Sequence, residues 1–246
     1  MPLDASGRAA EPQGPSRIEL ATVSVAAIAG HVLTAGLTLA LSANMSPDSF
    51  QVFVLCASLF LVAKSFALLG MDRLALQVLP CLAAQQESGG VSTFWHFAAR
   101  RAATGTVLGM ALVAATGLAS KDAGPSVMLT ALGLPLTTLV QLLAVRSIIQ
   151  SKTVRATIAV RLVPAMITSA SVAVMVRFDL AVTVTAVLFA WGLGWMAAAA
   201  TLLNRWPALS GEYRGAPVAW STHSGGFVVQ SMLLSLLRRM PVIMIA

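Results

Sequence analysis

Charge is scarce in this chain. Asp, Glu, Lys and Arg together make up 10% of its 246 residues, against roughly 25% in a soluble domain, a shortfall of about 37 residues. A larger core does not absorb that deficit, because a globular surface must still face water. Disorder is excluded for the chain as a whole, since disordered chains are poor in apolar residues and 57% of this one is hydrophobic. Cysteine is nearly absent. Cys56 and Cys81 are too few for a disulfide scaffold and lack metal-site spacing, so both read as packing residues. The net charge of +7 comes from Lys and Arg spread along the chain rather than gathered on one face, so nucleic acid is not an expected partner.

Catalytic signatures are missing too. There is no phosphate-binding glycine loop, no HExxH pair and no nucleophile elbow. His31, His96 and His223 lie in separate segments, and Asp72, Glu87 and Glu212 fall in loops. The longest loop, roughly 30 residues, is too short to bury a core of its own. Neither enzymatic activity nor a cofactor or metal is expected.

Long apolar runs are what the sequence does have. A helix needs about 20 mostly apolar residues to cross the hydrocarbon of a bilayer. Six stretches qualify: Ile18 to Leu41, Phe50 to Met71, Ala102 to Ser120, Val127 to Ile149, Thr157 to Val176 and Leu180 to Leu203. A seventh begins near Ala219 and runs into the C-terminus through Arg238, Arg239 and Pro241. The fold class is therefore all-α: a polytopic membrane protein with six spans forming one lobe, plus the start of a seventh. Residues 1–16, rich in Pro, Gly and Ala, read as a disordered cytoplasmic tail, not a signal peptide. Residues 17–204 make the lobe, and 205–246 an interfacial linker and the seventh helix, inside which the chain ends.

Between the second and third spans, LALQVLPCLAAQQ reads as a short interfacial helix broken at Pro80. After a Gly-Gly flex point, Phe94, Trp95 and Phe97 beside Arg100 and Arg101 suit the headgroup level. Trp206 and Trp220 mark a similar linker after the sixth span.

Basic residues set the expected orientation. Arg8, Arg17, Arg73, Arg100, Arg101, Arg146, Lys152, Arg155, Arg161, Arg205 and Arg214 fall on one side. Only Lys121 and Arg177 fall on the other, beside Asp122 and Asp179. The imbalance places the N-terminus and the even-numbered loops in the cytoplasm of a cell bounded by its inner (plasma) membrane.

Polar residues inside spans are costly and usually face protein. Lys64, about 10 Å from the cytoplasmic end of the second span, reads either as a cavity cation that attracts an anion or as a snorkelling side chain. His31, mid-span in the first helix, either faces the same cavity or hydrogen-bonds a neighbouring helix. Arg146 and Arg161 read as cytoplasmic anchors, and Gln141 and Asn204 are weaker candidates of the same kind. Gly105 and Gly109 form a GxxxG packing pair, Gly192 and Gly194 break up the sixth span, and Pro135 and Pro164 imply kinks with freed carbonyls.

The run Ala67-Leu68-Leu69-Gly70-Met71-Asp72-Arg73-Leu74-Ala75, preceded by the Pro-Asp-Ser-Phe turn, resembles the N-terminal part of polysaccharide biosynthesis flippases of the multidrug/oligosaccharidyl-lipid/polysaccharide exporter superfamily. LVQLLAVRSIIQSKTVR, Leu139 to Arg155, is similar to that family's fourth helix and basic exit loop, and Trp220 to Ala246 to the start of its seventh helix. The resemblance covers most of residues 18–246 in layout, although its motifs are degenerate.

It implies a flippase that moves a lipid-linked anionic glycolipid across the bilayer by alternating access. Lys64, Arg238 and Arg239 would be its cavity cations, with His31 beside them. Arg238 and Arg239 also read as an interfacial anchor. Family members have 12 to 14 spans in two lobes, so this chain would supply one lobe, and a second lobe or a homodimer partner would supply the other. An acid often found after the basic pair is replaced here by Met240 and Pro241, so no functional acid is carried over. Two alternatives stand beside this reading: a non-transporting scaffold subunit of a polysaccharide assembly complex, and a drug exporter of the same superfamily. The lack of acids within the spans speaks against the latter.

Overall fold

The computed structural model describes residues 16–84, 88–119 and 123–203, together with 220, 226, 227, 229, 230 and 233. Helices hold 92% of the described residues and no described residue is in a strand. Six helical stretches are long and apolar enough to cross a membrane. The protein is an all-α, multi-pass membrane protein.

Short polar signals start and stop the first helices. Ser16 caps α1 (Arg17–Asn44): its hydroxyl accepts from the Glu19 N–H at 3.2 Å, and the Glu19 carboxylate accepts from the Ser16 N–H at 3.1 Å. The chain turns extended at Met45, and Ser46 caps α2 (Pro47–Leu68), with Pro47 at the first helical position and Asp48 in the positive first turn. Gly-Pro opens α5 (Gly124–Ile149), and the Thr183 hydroxyl accepts from the Ala186 N–H at the start of α8 (Val184–Leu203). Within the spans, Thr and Ser hydroxyls donate back to carbonyls one turn earlier, as with Thr34 to Gly30, Thr130 to Ser126 and Thr168 to Pro164. In lipid this local bonding satisfies a hydroxyl that has no water to bond.

The apolar surface faces outward. Ile28, Val32 and Leu39 of α1 are exposed, as are Val107 and Leu108 of α4 (Ser88–Ala119) and Phe189, Leu193 and Met196 of α8. Thr106, Thr130, Thr137, Thr138 and Thr168 are buried. An apolar exterior over an interior that is itself mostly apolar suits hydrocarbon as the surrounding solvent. Helix α5 runs through the middle of the bundle, packed by α2, α4 and α8, while α1 lies at the edge.

Several expected boundaries are corrected. The second span is not a single helix to Met71. It stops at Leu68, where Leu69 (φ 44°) and Gly70 (φ 71°) both turn left-handed, and α3 (Met71–Ala84) follows. Gly70 adopts that conformation without a Cβ penalty. Helix α3 is not broken at Pro80: Pro80 lies on its exposed side, where the carbonyl it frees need not be buried, and the helix runs on to Ala84. Phe94, Trp95 and Phe97 lie in the first part of α4, not in a loop. At 32 residues that helix is about 48 Å long, more than the hydrocarbon needs. Phe94 is fully buried against Met71, Leu74 and Leu79 of α3, with Trp220 5.4 Å away, so these rings pack on one another as well as lining a boundary.

The fifth span starts earlier than expected, as α6 (Thr153–Thr157). It then widens into a π turn (Ile158–Leu162) and continues as α7 (Val163–Arg177). Pro164 has no N–H to donate into the turn behind it, and the Val163 N–H reaches five residues back to the Ile158 carbonyl. The sixth span begins at Val184, and neither Gly192 nor Gly194 breaks it. Pro135 likewise lies within a continuous α5.

Candidate functional site

Glycine sets the spacing around the one lysine inside a span. A methyl group on Gly105 of α4 would lie 2.5 Å from the Phe66 carbonyl oxygen and 2.6 Å from that of Ala67. One on Gly109 would lie 3.0 Å from the Ala63 oxygen. The GxxxG pair is therefore a packing seam, and it holds the end of α2 against α4. A methyl group on Gly30 of α1 would lie 2.7 Å from the Arg161 carbonyl oxygen in the π turn, and one on Gly194 of α8 2.8 Å from the Cα of Pro164 in the first turn of α7. The π turn is thus packed closely by α1, and the start of α7 just after it by α8.

Lys64 lies four residues before the end of α2, closer to that end than the unbroken span implied. It is half-buried. Its Nζ sits over the Trp195 ring of α8, 5.1 Å from the centroid. Trp195 continues a line of rings through Trp191 (6.4 Å) to Phe60 (4.2 Å further on). The Trp195 Nε1–H is buried and has no hydrogen-bond partner among the described residues. Arg161 of the π turn and Asp72 in the first turn of α3 are the charged groups near enough to act on Lys64. No carboxylate among the described residues forms an ion pair with it.

A lysine at the centre of a span costs about 2.5–3.5 kcal/mol; Lys64, four residues from the end of α2, costs less, and a desolvated cation–π contact returns about 2 kcal/mol. The ring therefore offsets most of the cost. Lys64, with Arg161 and Asp72 acting on it in opposite senses and an unused N–H donor in the ring it sits on, offers donors to an anion with several acceptor oxygens.

The other expected site residues fare differently. His31 is exposed and does not join Lys64: the buried residues of α1, Ala26, Gly30 and Leu41, line one stripe, and His31 stands roughly 100° round the helix from it. That geometry places His31 on the outer surface of α1, away from Lys64. Arg238 and Arg239 lie outside the described residues, as do Asn204, residues 1–15 and the Lys121–Asp122 pair. Gln141 and Arg146 are half-buried on α5. Among the described residues, no three His, Cys, Asp or Glu side chains gather as metal ligands.

Two participants were not foreseen. Trp195 was not singled out, although Trp191 and Trp195 stand one turn apart well inside a span, whereas membrane tryptophans concentrate at the interfaces. Arg161 was read as an anchor, because the π turn that carries it has no simple sequence mark beyond Pro164.

The first described residues of the C-terminal segment are helical at Trp220 and Phe227, and both pack on the cluster formed by α3, α4 and α5. The Arg73 guanidinium donates to the Gln230 side-chain oxygen at 2.6 Å. The Gly-Met-Asp-Arg run thus has a structural account: Gly70 makes the turn, Asp72 sits in the positive first turn of α3, and Arg73 reaches out to the later segment. No family model, no curated protein and no solved structure matches the chain.

Proposed function

We propose that this protein is one lobe of a flippase that carries a lipid-linked anionic oligosaccharide from the cytoplasmic to the outer leaflet of the plasma membrane, with its N-terminus in the cytoplasm. The observation that carries the reading is Lys64: a cation inside a membrane helix, seated on Trp195, with Arg161 and Asp72 both in range and no ion pair to a carboxylate among the described residues. A diphosphate crossing hydrocarbon needs such groups, since an unpaired anion there is as costly as an unpaired cation. The motif resemblance around Gly70 to Arg73 points the same way. The chain acts without catalysing a reaction, and a second lobe or a second copy supplies the other wall of the substrate path.

The test is complementation of a flippase-deficient strain with the unmutated chain and with Lys64→Ala. Rescue by the former and not by the latter is the expected result. Rescue that survives Lys64→Ala retains transport and removes the lysine from it. Failure of the unmutated chain, with its membrane insertion verified, moves the assignment to a non-transporting subunit of a polysaccharide assembly complex.

A further inference from the structure

A second basic site lies at the end of the bundle where α1 starts, α5 turns into α6 and α8 ends. A cavity of about 470 Å³ opens there between Glu19, Lys152, Arg155, Ile158 and Thr201, with Val154 and Ala159 completing its apolar wall. The volume is within the range of small-ligand pockets.

Its charges are not mutually cancelled. The Glu19 carboxylate is engaged in the cap of α1 through the Ser16 N–H. No carboxylate among the described residues forms an ion pair with Lys152 or Arg155. One N–H of the Arg155 guanidinium donates to the Thr201 carbonyl in the last turn of α8. That bond fixes the plane of the group and leaves four of its five donors for other partners. Lys152 is exposed and follows Ser151, whose left-handed backbone (φ 59°) turns the chain sharply at the end of α5.

Position decides the ligand. The cavity lies at the ends of spans, at headgroup level, and Ile18 and Leu20, the neighbours of its lining residue Glu19 along α1, are exposed apolar residues. An arginine held in place and a lysine recognise phosphate oxygens, and basic pockets between membrane helices take lipid headgroups.

We infer that this cavity binds the phosphate of a resident anionic phospholipid, with Lys152 and Arg155 holding the headgroup and the acyl chains lying along α1. The site shares no residue with the Lys64 cluster, so its fate is independent of the transport reading.

The experiment uses the purified full chain in a neutral detergent. Thermal unfolding is followed while phosphatidylglycerol, phosphatidylcholine or inorganic phosphate is added at equal phosphorus. Phosphatidylglycerol is expected to raise Tm saturably and the other two are not. Lys152→Gln is expected to weaken the apparent affinity about five-fold, the worth of one basic residue at an anionic lipid surface. Glu19→Gln keeps a capping side chain and removes the pocket's negative charge, so it should bind more tightly. Arg177→Gln, at the far end of α7, should bind as the unmutated chain does.

A response to phosphatidylcholine of equal size overturns the proposal, and so does Lys152→Gln binding with unchanged affinity. Equal weakening in Arg177→Gln replaces the site with diffuse attraction. A response reproduced by inorganic phosphate assigns the cavity to a soluble anion and overturns the lipid.

Discussion

Lys64 of α2 and Trp195 of α8 meet as cation and ring face, 5.1 Å from Nζ to centroid, on helices whose backbones stay apart and which also meet through the Phe60 and Trp191 rings, 4.2 Å between centroids. The lysine is therefore held less by backbone packing than by the ring beneath it. Trp195 in turn is kept in place by Trp191 and by Gly194, whose missing side chain lets α8 come down on Pro164.

That relationship separates stability from function at Lys64. Lys64→Met removes a costly charge and leaves the ring an apolar neighbour. So near the end of α2, the cost of the charge and the return from the ring roughly balance. Thermal unfolding in detergent should show Tm unchanged or slightly raised, while rescue of the flippase-deficient strain is lost. A large fall in Tm would make the lysine a structural element instead.

Gly105 and Gly192 should respond in opposite directions to the same change. Gly105→Ala puts a methyl 2.5 Å from a backbone oxygen, which must move with its helix. Overpacking of this kind costs about 1–3 kcal/mol, or a fall in Tm of about 2–4 °C for each kcal/mol. Gly192→Ala meets nothing within 4 Å and should be neutral or stabilising by up to about 1 kcal/mol, because alanine is the better helix former. Equal losses at both positions would contradict the packing seam.

Thr106 and Thr138 join α4 to α5 through a 3.2 Å hydroxyl contact, but each hydroxyl also donates to a carbonyl of its own helix. Thr106→Val should therefore cost little, about 0.6 kcal/mol, the average for interhelical bonds in membranes. A loss several times larger in an unfolding titration would show that the two helices depend on that contact.

Orientation and accessibility are checked by thiol labelling. Cys56 is fully buried and Cys81 exposed, so a soluble maleimide should modify the unfolded chain twice and the native chain at Cys81 alone. In a chain with Cys81→Ser, Lys152→Cys is expected to react only after the cells are permeabilised, and Asp179→Cys in intact cells. The reverse pattern would invert the proposed topology.

The spans were legible because lipid imposes a coarse, one-dimensional rule: enough consecutive apolar residues. GxxxG was legible for a similar reason, since it acts through local spacing on one helix face, and Gly105 and Gly109 do seat α2. What failed depended on neighbours distant in sequence. Phe94 and Phe97 looked interfacial by composition, and the aliphatic side chains of α3 and the Trp220 ring also pack over them. Pro80 looked like a stop, but its exposed position on α3 let the helix continue. His31 is mid-span in sequence, and only the stripe of Ala26, Gly30 and Leu41 shows that it points away from the bundle. Lys64 was found by its rarity, whereas Trp195 required knowing which helix lies across from it.

The π turn from Ile158 to Leu162 also bears on how this span tolerates changes in length. Its bonds reach five residues back where an α-helix reaches four, so it stores about one residue in excess of a regular turn. Losing one residue elsewhere in a span rotates everything beyond it by roughly 100° and turns lipid-facing side chains inward. Losing one here would close the bulge into an ordinary turn and leave α7 in register with Gly194 and α8. The fifth span therefore carries its own allowance for a deletion, where Gly30 of α1 comes up against the backbone of Arg161.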